Sequence, residues 1–141
     1  MVYKDTKDFS AQELQELFLS VEWSSGHYPD KLVIAMKNSG TVFSAWDTNK
    51  TDKNNKNKKL IGLINVLDDG IMTAYVHYLL VNPKYQRKGI GRELLRLIHE
   101  KYKDYLRIVL VAHDDAIGFY KNCGFTLGEG KSPMFITSLW T

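Results

Sequence analysis

Apolar residues recur at helical spacing in two stretches near the start of the chain. The first follows Ser10, whose spacing to Glu13 is that of a capping box, and predicts a helix over residues 11–20. The second follows Pro29, a residue favoured in the first turn of a helix, and ends before Gly40. The apolar positions that support these two helices are Leu14, Leu17, Phe18, Val21, Leu32, Val33, Ala35 and Met36.

β-branched and aromatic residues dominate the other apolar runs, which predicts strands. Helices from Gly91 to about Lys103 and over 116–122 separate the later strands. We therefore expect one α/β (α+β) domain over 1–141, with helices on both faces of a mixed, mostly antiparallel central sheet of about six to seven strands. The almost continuously apolar run at 106–112 predicts a central strand covered on both faces. The predicted strands span 2–4, 41–46, 60–67, 71–81, 106–112, 125–127 and 134–140.

Composition and charge exclude several classes of protein. The net charge of +3 is small, and the lysine-rich run at 50–59 contains no aromatic residue. We therefore expect no nucleic-acid partner and interpret this run as a solvated hairpin loop, although an anionic partner for it stays open. No apolar run approaches the roughly 20 residues that cross a bilayer, and the first residues lack a signal-peptide pattern, so we expect a cytoplasmic protein without a membrane contact. The single cysteine, Cys123, excludes an internal disulfide, and the histidines His27 and His99 lack metal-ligand spacing, so we expect no metal.

The stretch from Leu79 to Leu95 has the pattern of a strand, a basic glycine-bearing loop and a helix. The first N–H groups of a helix have no partner within it and favour an anion. Gly89 and Gly91 would let the backbone approach such an anion closely. On its own the pattern leaves a phosphate site and an ordinary glycine-containing turn both open. It matches neither a P-loop nor the dinucleotide-binding fingerprint.

A second motif, at 116–125, follows the next predicted strand. Together the two motifs resemble the GNAT family of acyl-CoA-dependent N-acyltransferases, in which Pro-x-Tyr-Gln/Arg-x-x-Gly-x-Gly is followed by Ala-x-x-Phe-Tyr-x-x-x-Gly-Phe. The order of the predicted strands and helices extends this likeness over the whole chain and implies the GNAT fold. The matching residues are Val81, Pro83, Tyr85, Gln86, Gly89, Gly91, Ala116, Phe119, Tyr120, Gly124 and Phe125.

The resemblance implies that acetyl-CoA is the co-substrate. Amides of the loop 87–92 would hold its pyrophosphate, and its pantetheine arm would pair with the backbone along 79–81, where that strand splays from 106–111. His113 stands where many members of the family have an asparagine that bonds this arm. The residues that the resemblance assigns to cofactor binding are Leu79, Leu80, Val81, Gln86, Arg87, Lys88, Gly89, Ile90, Gly91, Arg92, His113, Phe119 and Tyr120.

Acyl transfer from a thioester to an amine needs a neutral amine, a donor to the developing oxyanion and a proton for the thiolate. Backbone N–H groups in the splay, with that of Leu80 as the expected one, would supply the donor. The resemblance places Tyr120 beside the sulfur, where its phenol would act as general acid. The alternative is a tyrosine that only packs at the end of a helix.

The general base is less clearly indicated. Regular alternation would place Tyr75, His77 and Leu79 on one face of their strand, opposite the even-numbered residues 76–80. His77 stands where arylalkylamine acetyltransferases carry one of two histidines, and it could accept a proton from the amine through water. A histidine that only forms hydrogen bonds within the sheet is the alternative. No carboxylate lies between 71 and 81, where many members of the family have one.

The acceptor is expected to enter beside the connector 22–28, which carries aromatic side chains and a carboxylate suited to a cationic amine. Simple packing of Trp23 is the alternative. The resemblance to small arylalkylamine or serotonin-type acetyltransferases implies a small acceptor such as an arylalkylamine or polyamine. A protein lysine or N-terminal amine, or a CoA-binding module without turnover, also stays open, as do the acyl chain length and the choice between monomer and homodimer. The candidate substrate-binding residues are Glu22, Trp23, Tyr28 and Tyr75.

Overall fold

The computed structural model describes residues 1–49 and 58–141. Its helices begin and end close to the predicted positions, and the capping box at the first helix is formed as predicted. Short 3-10 turns occupy Ser24–His27, Pro83–Tyr85 and Asp114–Ala116. In chain order the elements are β1 (Val2–Asp5), α1 (Ala11–Ser20), α2 (Pro29–Asn38), β2 (Thr41–Asp47), β3 (Lys59–Asp68), β4 (Thr73–Val81), α3 (Ile90–Lys101), β5 (Arg107–Leu110) and α4 (Ile117–Asn122).

Within residues 1–49 and 58–141, five strands form one mixed sheet in the order β1-β2-β3-β4-β5. The first four are antiparallel neighbours, and β5 lies parallel to β4 after the crossover through α3. Only residues 73–76 of β4 pair with β5, so the second half of β4 has an open edge on that side. The α/β class and the mixed, mostly antiparallel sheet are confirmed.

Two hydrophobic cores lie on opposite faces of the sheet, which confirms the prediction of helices on both faces. Helices α1 and α2 cover the first, called the α1 face, and α3 covers the second, called the α3 face. Fully buried side chains of the α1 face include Leu14, Phe18, Met36 and Leu63. Those of the α3 face include Ile64, Leu94 and Ile98.

The expected six to seven strands were wrong, because residues 125–127 and 134–140 form no strand. A strand requires a neighbour that offers N–H and C=O groups. Between 126 and 140, no backbone group bonds to another backbone group in the described part of the chain. The side chains from 126 to 140 are exposed as well.

The expectation of a central, fully covered strand at 106–112 was also wrong. β5 is four residues long and is the last strand of the sheet, and Leu106 and Val109 are exposed beside it. Residues 50–57 of the predicted lysine-rich hairpin lie outside the described residues. Across the described ranges, no helix is both long and apolar enough to span a bilayer.

Candidate active site

A β-bulge in β4 organises the candidate active site. The pairing with β3 runs from Asn65 opposite Tyr78 directly to Val66 opposite Val76, which leaves His77 without a partner residue. The side-chain oxygen of Asn65 accepts a hydrogen bond from the N–H of Tyr78 at 2.9 Å. The buried carboxamide of Asn65 therefore satisfies a backbone donor where the ladder is interrupted.

The bulge overturns the predicted alternation along β4. Val76 lies in the core of the α3 face, whereas Leu80 lies in the core of the α1 face, although regular alternation would place both on one face. The extra residue, His77, shifts the alternation of side chains by one position, so residues before and after it face opposite sides of the sheet from those expected relative to one another. Consequently the rings of Tyr75 and Tyr78 both stack with the imidazole of His77, with centroids 5.9 and 4.0 Å away respectively.

The register of β4 also corrects the expected oxyanion donor. The N–H of Asn82 bonds to the carbonyl of Ile61 on β3, and the N–H of Tyr78 likewise points toward β3. Because alternate residues of a strand point their backbone groups to the same side, the N–H of Leu80 is directed at β3 as well. The groups directed at the open side, where β5 has diverged, belong to Leu79 and Val81.

The loop after β4 leaves the first N–H groups of α3 uncapped by any side chain. Gly89 is the N-cap residue with φ of +82°, and a Cβ built on it would meet no atom within 4 Å. Arg87, with φ of +63°, and Lys88 and Arg92 are exposed around this point. The result is an open helix N-terminus within a group of three cationic side chains.

Two contacts fix this loop against its neighbours. The side-chain amide of Gln86 donates to the carbonyl of Val81 at 3.0 Å, which ties the loop to the open edge of β4. A Cβ at Gly91 would lie 3.3 Å from the ring of Phe119, so α4 packs closely against the first turn of α3. A cavity of about 430 Å³ continues from Gly89 between α3 and the end of α4. Its lining includes Arg92, Arg96, His99, Asn122 and Cys123.

Tyr120 lies half-buried on the α3 face, where its ring contacts those of Phe119 and Phe125 at 5.2 and 5.7 Å between centroids. Burial raises the pKa of Tyr120 to about 12, with a smaller contribution from the thiol of Cys123. The phenol therefore keeps its proton throughout the neutral range and can only donate it or share it there.

The pKa of His77 is shifted in the opposite direction from that of Tyr120. Its side chain is solvent-accessible, but the two tyrosine rings around it displace water, and this desolvation lowers its pKa below the ordinary value of 6.5. At pH 7 the imidazole is neutral and can accept a proton. A phenol that keeps its proton thus lies on the α3 face, and an imidazole that can accept one lies in the bulge of β4.

Further aromatic side chains continue from Tyr78 on the α1 face. Trp23 packs against Tyr78 at 6.0 Å and His113 at 5.8 Å between ring centroids. The hydroxyls of Tyr78 and Ser25 share a hydrogen bond of 2.7 Å, which holds the connector between α1 and α2 against β4. Trp23, Tyr75, His77, Tyr78 and His113 are called the aromatic cluster below.

The other two residues predicted for the acceptor make no ring contact or side-chain hydrogen bond with this cluster among the described residues. Glu22 and Tyr28 are exposed, and the ring of Tyr28 instead contacts the ammonium of Lys31 at 5.8 Å. Sequence reasoning missed Tyr78 and Asn65, both of which shape the bulge. A polar Asn65 within the apolar run of β3 was the signal that could have drawn attention to it.

The residues present fit the groups of a CoA thioester. A diphosphate suits the uncapped N-terminus of α3, where the space beside Gly89 is empty and the side chains are cationic. An amide-bearing arm suits the open edge of β4, whose backbone groups at Leu79 and Val81 have no strand beside them. The cavity between α3 and α4 continues from the same loop.

Comparison with solved structures defines the class of protein that this fold represents. The chain superposes with a TM-score of 0.75 on a GNAT family acetyltransferase from Streptococcus pneumoniae, at 23% sequence identity, over 97% of this chain and 98% of that one. The fold is therefore that of the GNAT acetyltransferases.

The chain itself belongs to the acetyltransferase (GNAT) family, whose model matches residues 9–125. It is 32% identical over 140 residues to "Histone acetyltransferase TAP1" of Glycine max, which covers 96% of this chain and 60% of the relative. It is 36% identical over 110 residues to "Probable acetyltransferase TAP2" of the same plant, covering 74% of this chain and 44% of that protein. The chain thus spans about half of the length of these two relatives.

Proposed function

We propose that the chain is an acetyl-CoA-dependent N-acetyltransferase that acts on a primary amine. The observation that carries this proposal is one continuous path: the uncapped N-terminus of α3 leads along the open edge of β4 to the bulge at His77. Tyr120 lies on the α3 face of this path, and the aromatic cluster lies on the α1 face. Family membership supports the same activity.

Binding of the donor uses backbone groups more than side chains. The amides at the start of α3 and the cations Arg87, Lys88 and Arg92 would hold the diphosphate. The carbonyl of Leu79 and the backbone groups of Val81 would pair with the arm, and Gln86 would then exchange its bond to the Val81 carbonyl for one to the ligand or to water. When bound, the thioester supplies the acetyl group.

The chain's own residues supply three functions at the reacting atoms. The N–H of Leu79, directed at the open side, donates to the carbonyl oxygen on which negative charge develops. Tyr120 gives a hydrogen bond and a proton to the departing sulfur. His77, neutral at pH 7, receives a proton from the acceptor ammonium through water, which frees the amine lone pair for attack.

The acceptor that we propose is a small amine carrying an aromatic or extended cationic group, such as an arylalkylamine or polyamine. The ring of Tyr78, which stacks on His77, and the ring of Trp23, which packs on Tyr78, would hold a cation by cation–π contact, worth about 0.5–2 kcal/mol. The second candidate is a lysine or N-terminal amine of a protein. It is supported by the relative named as a histone acetyltransferase.

A rate screen of acceptors separates these candidates. Purified chain and acetyl-CoA would be mixed with arylalkylamines, polyamines and lysine-containing or free N-terminal peptides, and the free thiol would be measured over time. Our proposal predicts fastest thiol release with a small amine, reduced several-fold in Trp23→Ala. Faster release with peptides would overturn the small-amine proposal. If no acceptor of either kind increases the rate of thiol release, N-acetyl transfer itself would be overturned.

A further inference from the structure

The ring of Trp23 connects the two strands that part at the candidate active site. Pairing of β4 with β5 ends at Val76 opposite Leu110, and beyond this point the two strands no longer pair. On the β4 side, the ring of Trp23 contacts that of Tyr78, with centroids 6.0 Å apart. On the β5 side, it contacts the imidazole of His113, which follows the end of β5, at 5.8 Å between centroids. These three rings form a series of contacts from β4 to the segment after β5, called the aromatic wall below.

Trp23 is the member of the wall that its neighbours hold in place. Its backbone N–H donates to the carbonyl of Phe18 at 3.1 Å, and its ring meets the ring of Phe18 edge to face, with centroids 6.3 Å apart. The connector that carries it is fixed as well, because the hydroxyl of Ser25 bonds both to the hydroxyl of Tyr78 and to the backbone oxygen of Thr141, each at 2.7 Å. Trp23 is therefore preorganised, which reduces the entropy lost when a ligand binds to it.

His113 is the exposed member of the wall. It is the N-cap residue of the 3-10 turn Asp114–Ala116, and its carbonyl accepts a hydrogen bond from the N–H of Ala116 at 2.9 Å. Its side chain does not cap that turn, and its imidazole forms no hydrogen bond with any residue that the structure describes. The side chain of His113 is therefore placed by its ring contact with Trp23, and its nitrogens stay available to a ligand.

We propose that His113 and Trp23 together contact the aromatic ring of the acceptor, so that an arylalkylamine is preferred over a polyamine. This inference rests on the proposed N-acetyl transfer and specifies its acceptor. Aromatic rings pack favourably with centroids about 4.5–7 Å apart, and a ligand ring on this wall gains contacts with both residues. The imidazole of His77 stacks on the Tyr78 end of the wall at 4.0 Å. An arylalkylamine carries its amine a few bonds from its ring, which suits a base on the same series of ring contacts.

The surroundings of the wall favour an aromatic group over a second cation. A polyamine needs carboxylates for its further ammonium groups, and Asp114 and Asp115 directly follow His113. Both carboxylates are exposed, however, and ion pairs at exposed positions contribute little. The rings of Trp23 and Tyr78 are instead partly buried against the core of the α1 face, where removing the apolar surface of a ligand from water is favourable.

Steady-state kinetics with two acceptors tests this preference. KM and kcat would be measured for phenethylamine, for spermidine and for acetyl-CoA, and the wild-type chain should have the higher kcat/KM with phenethylamine. His113→Asn removes one ring from the wall. It should raise the KM for phenethylamine by about 2–10-fold, the factor that one aromatic contact contributes, and leave the KM for spermidine unchanged. A higher wild-type kcat/KM with spermidine, or an unchanged KM for phenethylamine in His113→Asn, would overturn the proposal.

The variant His113→Phe separates this role from a contact with the donor. Phenylalanine keeps an aromatic ring, so it should restore the KM for phenethylamine that His113→Asn raises. Asparagine can form hydrogen bonds with an amide-bearing arm, whereas phenylalanine cannot. If His113 held the arm of the donor instead, His113→Phe would raise the KM for acetyl-CoA while His113→Asn would not, and the proposal would fail.

NMR detects the same contact without turnover. The full chain would be isotopically labelled at its histidines and saturated with CoA, and the signals of His113 would be assigned by their absence in His113→Asn. Added phenethylamine should shift the signals of His113 and leave those of His99, which lies in α3 on the other face of the sheet, in place. A shift of His113 in a chain that forms no product would support the contact while N-acetyl transfer fails. Unmoved His113 signals would overturn the contact, whether or not acetyl transfer occurs.

Discussion

The proposed proton acceptor, His77, and the proposed proton donor, Tyr120, lie in two different environments. Burial among apolar rings keeps the phenol of Tyr120 protonated, and desolvation between two tyrosines keeps the imidazole of His77 neutral at pH 7. Both shifts favour the uncharged form of each group, as expected for groups removed from water. A protonated donor and an unprotonated acceptor are the forms that acyl transfer to an ammonium requires.

Substitution of Tyr120 by phenylalanine should lower turnover while leaving the dissociation constant of acetyl-CoA almost unchanged. The ring and its packing remain, so only the proton for the departing sulfur is lost, with an expected fall in kcat of about 10²–10⁴-fold. Steady-state rates and calorimetric titration measure the two quantities. Tyr105→Phe, at a half-buried tyrosine that contacts Tyr102, is the matched control. Unchanged turnover in Tyr120→Phe would remove it as the acid.

Activity should fall at acidic pH as His77 becomes protonated. Because desolvation lowers the pKa of His77, the acidic limb of kcat/KM should have its midpoint below 6.5, and activity should be retained above it. In His77→Gln this limb should disappear and the plateau rate should fall. His27→Gln, at an exposed histidine of the 3-10 turn, should keep the wild-type profile. An unaltered acidic limb in His77→Gln would eliminate it as the base.

At the scale of elements, the bulge in β4 and the start of α3 together shape the site. The bulge gathers Tyr75, His77 and Tyr78 on one side, and the buried carboxamide of Asn65 holds the interrupted ladder together. The loop before α3 requires backbone conformations with positive φ at Arg87 and Gly89. The bulge therefore depends on the carboxamide of Asn65, and the loop depends on a glycine at position 89.

Asn65→Leu should destabilise the fold by about 1–3 kcal/mol, because the buried N–H of Tyr78 loses its acceptor. The side-chain amide of Asn65 also donates to the hydroxyl of Ser39, at 3.1 Å. Ser39→Ala removes that second bond and the bond from the Ser39 hydroxyl to the carbonyl of Ala35, but it keeps the bond from Tyr78 to Asn65, so its loss of stability should be smaller. Urea unfolding measures both. Equal losses in the two variants would show that the bulge does not depend on the bond to Tyr78.

Gly89→Glu should abolish acetyl-CoA binding, since a carboxylate at the N-cap would occupy and repel the anion site. Gly70→Glu is the matched control: Gly70 has φ of +85° and open space around it, so the backbone strain is alike, but it lies in the turn before β4. Calorimetric titration should show wild-type affinity for Gly70→Glu. Equal affinities of both variants would refute the loop as the diphosphate site.

At the scale of the whole molecule, local signals predicted most of the first two-thirds of the fold. Capping at Ser10, proline at the start of α2 and apolar periodicity each act within a few residues, so they are legible in a single sequence. The two motifs around Gly89 and Tyr120 likewise indicated the family, which the family model confirms.

The errors arose where structure depends on distant partners. The bulge at His77 requires Asn65 from another strand, so alternation within β4 alone gave the wrong faces. The residues at 134–140 have strand composition, but composition does not supply a neighbouring edge. The apolar run around β5 likewise led to the wrong prediction of a central strand, because composition does not show how many neighbours a strand has. Such features follow from tertiary pairing, which a local pattern does not contain.

In the proposed reaction, this chain moves an acetyl group from a thioester to the nitrogen of a separate amine. The most direct measurement incubates the full chain with acetyl-CoA and the best small amine from the screen, and quantifies free thiol and acetylated amine by mass spectrometry. We predict one N-acetylated amine per thiol released, at a rate that Tyr120→Phe lowers by about 10²-fold or more. If acetyl-CoA binds but no acetylated amine forms, or if thiol is released without acetylated amine, the chain does not carry out N-acetyl transfer to that amine.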